Sequence, residues 1–308
     1  MNTWKTARVS LPDGRGFDRW TLDSLRPGLR VVVFGGTHGD ETEGVIAANQ
    51  LAGSQLVLTT GVLEVVPIVH EAAYFNDSRT SPLDDGNLAR AFPGDPAGTP
   101  TQVLAHALHN QVLVGADLLM DLHTAGQGLD MPYIAGYIDD GRDKRGLSRR
   151  ADEAFGADFV WRHPTRAPGR TLSDMDAAIY TEAPLPGPIR LDFADRYRDG
   201  VLRVLGALGM IDCSVVPSPR PGALRVVSGG NVDTDMQSVR CSGLFIHKSR
   251  QGEKVTKGQL LAVVVDIRGQ VLEEICALFD GWVVVLKRRP HVKSGDQVVA
   301  VAVADETD

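Results

Sequence analysis

Gly35-Gly36-Thr37-His38-Gly39-Asp40-Glu41 follows directly on the apolar run Val31-Val32-Val33-Phe34. The run reads as a strand buried on both faces, and the glycine pair as a sharp turn at its end. A His and a Glu three residues apart thus leave the C-terminal edge of a central strand, where open α/β sheets place their ligands. His123 repeats the arrangement at the end of a second apolar strand, Ala116-Asp117-Leu118-Leu119-Met120-Asp121-Leu122-His123-Thr124. Two His and one carboxylate fill three positions of a tetrahedral zinc ion and leave the fourth to water, the donor pattern of a hydrolytic site. His38 and Glu41 converge if the loop curls at Gly39, a turn in which Asp40 would point away. Taken alone, His38 reads as a residue before a helix, with Asp40 and Glu41 as first-turn acids; His123 is what makes the set specific.

Outward from this stretch the chain alternates. Strands are expected at Arg30–Phe34, Val62–Ile68, Asp117–Leu122, Met131–Tyr137 and Ala177–Thr181. Helices are expected at Glu41–Ala52, Gln102–Val114, Lys144–Phe155 and Phe193–Leu208. The fold class is therefore α/β, with a mixed, mostly parallel central sheet and helices on its faces. Residues 1–29 read as a β arm, and His70 to Pro100 as a long loop of the kind that usually carries function. Pro217-Ser218-Pro219-Arg220-Pro221-Gly222 reads as a linker, since proline fixes φ and blocks helix continuation. Domains follow at 1–213 (catalytic, with the β arm), 214–222 (linker) and 223–308 (β domain).

The last segment contains a weak repeat. Val255-Thr256-Lys257-Gly258 resembles Val292-Lys293-Ser294-Gly295, displaced by 37 positions. Two similar hairpin units suggest a small all-β domain with pseudo-twofold symmetry. It resembles the barrel-sandwich of biotinyl and lipoyl carriers. The hairpin tip that such carriers modify falls near Asp266-Ile267-Arg268-Gly269, and no Lys lies between Lys257 and Lys287, so no prosthetic group is expected.

Composition sets the bounds. Hydrophobic residues make up 43% and charged residues 23% of 308, with a formal charge of −7. Such a chain buries a large core and is a poor partner for nucleic acid. Cys213, Cys241 and Cys276 are odd in number and scattered, which fits a reducing compartment better than a disulfide framework or a thiolate metal site. The first residues lack an apolar signal core, and no run approaches a membrane span. The expectation is a cytoplasmic protein without membrane partners; a homo-oligomer stays open.

Three motifs together resemble the succinylglutamate desuccinylase/aspartoacylase family, within the zinc-carboxypeptidase-like group: Gly-Gly-Thr-His38-Gly-Asp-Glu41, then Asn87-Leu88-Ala89-Arg90-Ala91-Phe92-Pro93-Gly94, then Asp121-Leu122-His123-Thr124. The similarity runs through the whole chain. It implies one Zn²⁺ per chain on His38, Glu41 and His123, and hydrolysis of the amide of a small N-acyl amino acid. It implies Glu182, in Ile179-Tyr180-Thr181-Glu182-Ala183, as general base. It implies Arg79 on the scissile carbonyl, and Asn87 and Arg90 as substrate-binding residues, Arg90 clamping the carboxylate. A guanidinium fork suits both arginine roles. One departure stands out: the family usually has Asn where this chain has Ala89. A hydrogen bond to a charged group is worth roughly 1.5–3 kcal/mol, so the substrate is expected to present something different there. Pro184-Leu185-Pro186-Gly187, after Glu182, replaces a glycine-rich turn.

Other residues carry weaker signals. Arg162, Arg166 and Arg170 could reach the pocket or face water, and water is the expectation. His106, His109, His163, His247 and His291 have no ligand partners at metal-binding spacing. The rival readings are a zinc carboxypeptidase acting on short peptides and a non-catalytic zinc or small-molecule binding protein.

Overall fold

The computed structural model describes residues 3–184, 189–218, 225–229, 232 and 235–304. A hairpin of β1 (Lys5–Ser10) and β2 (Gly16–Asp23) leads into β3 (Arg30–Gly35), α1 (Thr42–Leu51), β4 (Val62–Val66) and the short α2 (Glu71–Phe75). Then come α3 (Pro100–Leu108), β5 (Leu118–Leu122), β6 (Leu129–Asp130), β7 (Ile134–Ile138), α4 (Leu147–Phe155), β8 (Phe159–His163), β9 (Ala178–Glu182) and α5 (Leu191–Ala207). After 224 the elements are all strands: β10 (Arg225–Ser228), β11 (Gln237–Ser238), β12 (Gly243–His247), β13 (Lys254–Val255), β14 (Leu260–Val265), β15 (Val271–Cys276), β16 (Gly281–Lys287), β17 (His291–Val292) and β18 (Gln297–Ala304).

The centre of the sheet is ordered β4-β3-β5-β9-β7-β8. All neighbours there are parallel except β7 and β9, which run antiparallel. Side-chain alternation explains why both faces are covered. Val31 and Val33 join Leu118, Met120 and Leu122 in the core under α1, α4 and α5, whereas Val32, Phe34 and Leu119 join the core under α3. A strand buried on both faces reads as an unbroken apolar run, as in Val31–Phe34.

Some boundaries moved for physical reasons. Helix α3 starts at Pro100, ahead of the expected Gln102, because Thr99 and Gln102 form a capping box with proline at the first position. It gives way to a single wide π turn over His109–Leu113. Helix α4 starts at Leu147 rather than Lys144, since Gly146 holds a left-handed φ of 63°. Strand β7 begins three residues late, after Pro132, which lacks the N–H a ladder needs. Strand β8 was not expected.

The C-terminal strands extend the same sheet. Strand β10 pairs in parallel with β8 and antiparallel with β18, and β16 pairs with β6. A sheet of 14 strands results, beside a four-stranded sheet ordered β15-β14-β12-β17. The sequence repeat corresponds to equivalent positions: Val255 and Val292 are buried, and Gly258 and Gly295 both have positive φ. The two halves exchange strands, because β13 pairs with β16 and β17 with β12. Asp266–Gly269 forms the turn between β14 and β15. Of the expected linker, residues 219–222 lie outside the described residues, as do 185–187 after Glu182. Among the described residues no helix is long and apolar enough to cross a membrane.

Candidate metal centre and cavity

The expected metal set comes together at the C-terminal ends of β3 and β5. His38, Glu41 and His123 are 2%, 1% and 6% exposed, and their donor atoms lie within 4.8 Å of one another. The loop curls at Gly39 as required: its N–H donates to the Ser78 carbonyl at 2.9 Å, and a Cβ there would lie 2.1 Å from the Ala73 backbone. Only glycine fits that approach. Glu41 stands where α1 would be capped, yet makes no cap, its carboxylate being turned to the two histidines. Asp40 points elsewhere, with Oδ2 accepting from the Gln127 N–H at 3.3 Å.

The outer hydrogen bonds decide which ring nitrogens face inward. His38 Nε2 lies 3.1 Å from Asn87 Oδ1, an oxygen that also accepts from the Ala89 N–H at 3.0 Å. His123 Nε2 lies 3.0 Å from Asp121 Oδ2; the angle falls short of a hydrogen bond, but a carboxylate at that distance can face only an N–H. Asp121 is held in turn by the Thr37 hydroxyl, which donates to Oδ1 at 2.7 Å. With hydrogen on the two Nε2 atoms, both Nδ1 atoms can turn lone pairs inward; they lie 3.2 Å apart and each 2.8 Å from a Glu41 oxygen. Converging acceptors of this kind, with a carboxylate behind one histidine, suit a divalent cation.

The acids around His123 favour positive charge at the centre. Burial works against a charge on His123, but Asp121 and Glu41 outweigh it and raise its pKa well above the usual value. Burial lowers that of His38. Burial likewise disfavours the Glu41 carboxylate, yet the two histidines hold its pKa well below the ordinary range. The centre calls for positive charge.

Next to this set lies a cavity of about 120 Å³, lined in part by His38, His123, Arg79, Arg90 and Glu182. Glu182 ends β9, and its Oε2 is buried without a hydrogen bond among the described residues. Burial first, then the negative charge of Glu41, push its pKa well above the carboxylate range. Arg79 donates to Glu41 Oε1 at 2.8 Å, with His38 Nδ1 at 3.2 Å. Arg90 lines the wall, its pKa lowered by burial and then by Arg79. Asn87 turns its side-chain oxygen to His38 and to the turn at Leu88–Arg90. Ala89 lines the wall.

Four residues were missed by sequence reasoning. Arg170, expected to face water, lines the cavity, and burial followed by repulsion from Arg90 lowers its pKa to about 10. Arg162 and Arg166 pair with Asp139 and Asp140. His163, at the end of β8, lines the far side with Tyr180, whose hydroxyl is 2.7 Å from His163 Nε2. The Tyr180 ring crosses β7 over Gly136, where a Cβ would come within 2.3 Å of it. The signal for Tyr180 was available: it precedes Glu182 by two, and alternate strand residues share a face. Asp121, two before His123, follows the same rule.

A mixed α/β sheet with a buried His/Glu/His donor set and a carboxyl at a strand end defines a hydrolase type of site. The chain belongs to the succinylglutamate desuccinylase/aspartoacylase catalytic domain family, whose pattern matches residues 27–207; these enzymes act on amide bonds as deacylases. It is 28% identical to an N-alpha-acetyl-L-2,4-diaminobutyric acid deacetylase from Halomonas elongata, over 89% of this chain and 82% of that one. A succinylglutamate desuccinylase/aspartoacylase structure from Rhodobacter sphaeroides superposes with a TM-score of 0.84 at 27% identity, covering 99% and 97% of the two chains. The product-bound ectoine utilization protein EutE (DoeB) from Ruegeria pomeroyi gives 0.83 at 25%, covering 98% and 96%.

Proposed function

We propose that this protein is a zinc-dependent deacylase that cleaves the amide bond of a small N-acyl amino acid. The inward-facing Nδ1 pair of His38 and His123, closed by Glu41, carries the reading. His38, Glu41 and His123 would hold the ion. Zinc, when bound, supplies an acidified water and a Lewis acid. The chain's own residues do the rest. Arg90, helped by the charge of Arg170, binds the substrate carboxylate. Arg79 faces the scissile carbonyl and stabilises its developing negative charge. Glu182, its proton affinity raised by burial, takes a proton from the attacking water and passes it to the departing nitrogen. Free amine and carboxylate result.

The cavity beside the metal set, about 120 Å³, suits a small substrate. The relatives named for acetyl-diaminobutyrate deacetylation and ectoine utilisation support the same class. In this reading residues 1–213 form the catalytic unit, 214–222 the linker and 223–308 a β unit that closes the cavity. The test is a turnover screen of zinc-loaded protein against N-acyl amino acids and short peptides, with Glu182→Gln as control. Amine release from N-acyl amino acids, lost in the variant, is expected. Cleavage of peptides alone would make it a carboxypeptidase, and metal retention without turnover a binding protein.

A further inference from the structure

Apart from Arg90 and Arg170, assigned above to the substrate carboxylate, and the polar His163, Thr165, Thr171 and Tyr180, the lining beyond the metal set is hydrocarbon. Ala125, Leu129, Met131, Ile138, Leu172 and Val232 form this wall. Ala89 faces the same space. This wall is fixed from behind. Leu129 lies in β6, paired with Lys287 of β16, and the Arg288 N–H donates to the Gly128 carbonyl at 2.9 Å. Met131 is 2% exposed and packs in one core with Val284, Val285 and Ala300, with Leu129 and Val232 on its margin. Ile138 ends β7. A surface so backed cannot turn aside to present polar backbone, and a charge seated against it, beyond the reach of Arg90 and Arg170, would lose hydration without recompense.

We propose that the substrate group seated on this wall is an uncharged aliphatic chain, so that the enzyme acts on an N-acyl amino acid with a hydrocarbon substituent. A succinyl, aspartyl or diaminobutyryl group would place a second charge on the wall. The proposal rests on the deacylase reading for the identity of the reacting bond, and on the lining alone for the preference. Each methylene buried against such a surface strengthens binding about fourfold, until the cavity of about 120 Å³ is full.

The test measures binding apart from turnover. Zinc-loaded Glu182→Gln protein is titrated calorimetrically with two homologous series. One is N-acetyl, N-propionyl, N-butyryl and N-pentanoyl glycine; the other is N-acetyl glycine, alanine, 2-aminobutyrate and norvaline. N-succinyl glycine and N-acetyl-2,4-diaminobutyrate serve as charged counterparts. One series should tighten about fourfold per methylene, with the charged compounds at least tenfold weaker than neutral ones of equal length. Leu129→Asn and Ile138→Asn should each flatten that rise. Flat affinities in both series, charged compounds binding as tightly as neutral ones, or a rise untouched by both substitutions would overturn the proposal. Turnover of the same compounds by the unsubstituted enzyme separates the two readings. A steep rise without turnover sinks the deacylase reading alone, and turnover with flat or charge-preferring affinities sinks the aliphatic preference alone.

Discussion

The two ends of the cavity are built in opposite ways. The metal end takes two ligands from one four-residue span and the third from a neighbouring strand end, all nearly fully buried and tied by hydrogen bonds. The far end is assembled from residues near 89, 129–138, 163–172, 180 and 232. It presents mostly apolar side chains, with Arg90, Arg170 and the Tyr180–His163 pair among them. Local spacing thus specifies the chemistry, while distant segments specify what is admitted to it.

Substitutions should divide along the same line. The largest effect is expected for Glu182→Gln: kcat falls by about 10²–10⁴ while zinc content, measured by atomic emission, stays at one per chain. A near-normal kcat would remove Glu182 from the chemistry.

The crowding of the metal end should also make it acid-sensitive. His70 is 1% exposed, with both ring nitrogens lacking a hydrogen bond among the described residues, and burial lowers its pKa to about 4. The unfolded chain takes up that proton near the usual 6.5, the folded one only near 4. The stabilisation is therefore complete above pH 6.5 and is lost as pH falls towards 4, a change of up to roughly 3 kcal/mol. Urea midpoints at pH 7 and 4.5 measure it, and His70→Gln should remove this part of the dependence. An equal acid slope in the variant would assign the sensitivity to other groups.

Asp121→Asn keeps the shape behind His123 and removes the charge. Zinc affinity, read by chelator competition, should fall about 10–100-fold; an unchanged affinity would mean that the ring is oriented without it. Smallest is Arg170→Gln at the far end, where KM should rise roughly tenfold, as expected for one charged hydrogen bond, and kcat should change little. A fall in kcat with KM unchanged would erase the contrast between the two ends.

The same contrast explains what the sequence disclosed. The strands around Val31–Phe34 and Leu118–Leu122 were legible because burial on both faces writes an apolar run, and His38, Glu41 and His123 because their spacing is local. Glu182 was placed by family likeness, and the cavity beside the metal set now holds it. Arg170 was misjudged because nothing between 163 and 172 is periodic; its direction follows from a chain reversal between β8 and β9. His163 lacked a sequence neighbour of ligand type, and its partner Tyr180 comes from the strand beyond β7. Strand β8 was overlooked because Phe159–His163 is short and ends in charged residues. Nor did local pattern reveal that β10 would lie beside β8, since pairing across an intervening strand and helix leaves no mark in either segment.

The pairing of β6 with β16 has a consequence for the time at which the protein becomes selective. All three proposed metal ligands have been translated by residue 123, but the strand paired with Leu129 ends at residue 287, about 160 residues later. At roughly 5–20 residues per second, a growing chain carries the proposed metal ligands for about 8 to 30 seconds before the Leu129 wall can close. A ribosome-stalled chain ending near residue 220 would hold every proposed catalytic group and lack the strands that back the discriminating surface.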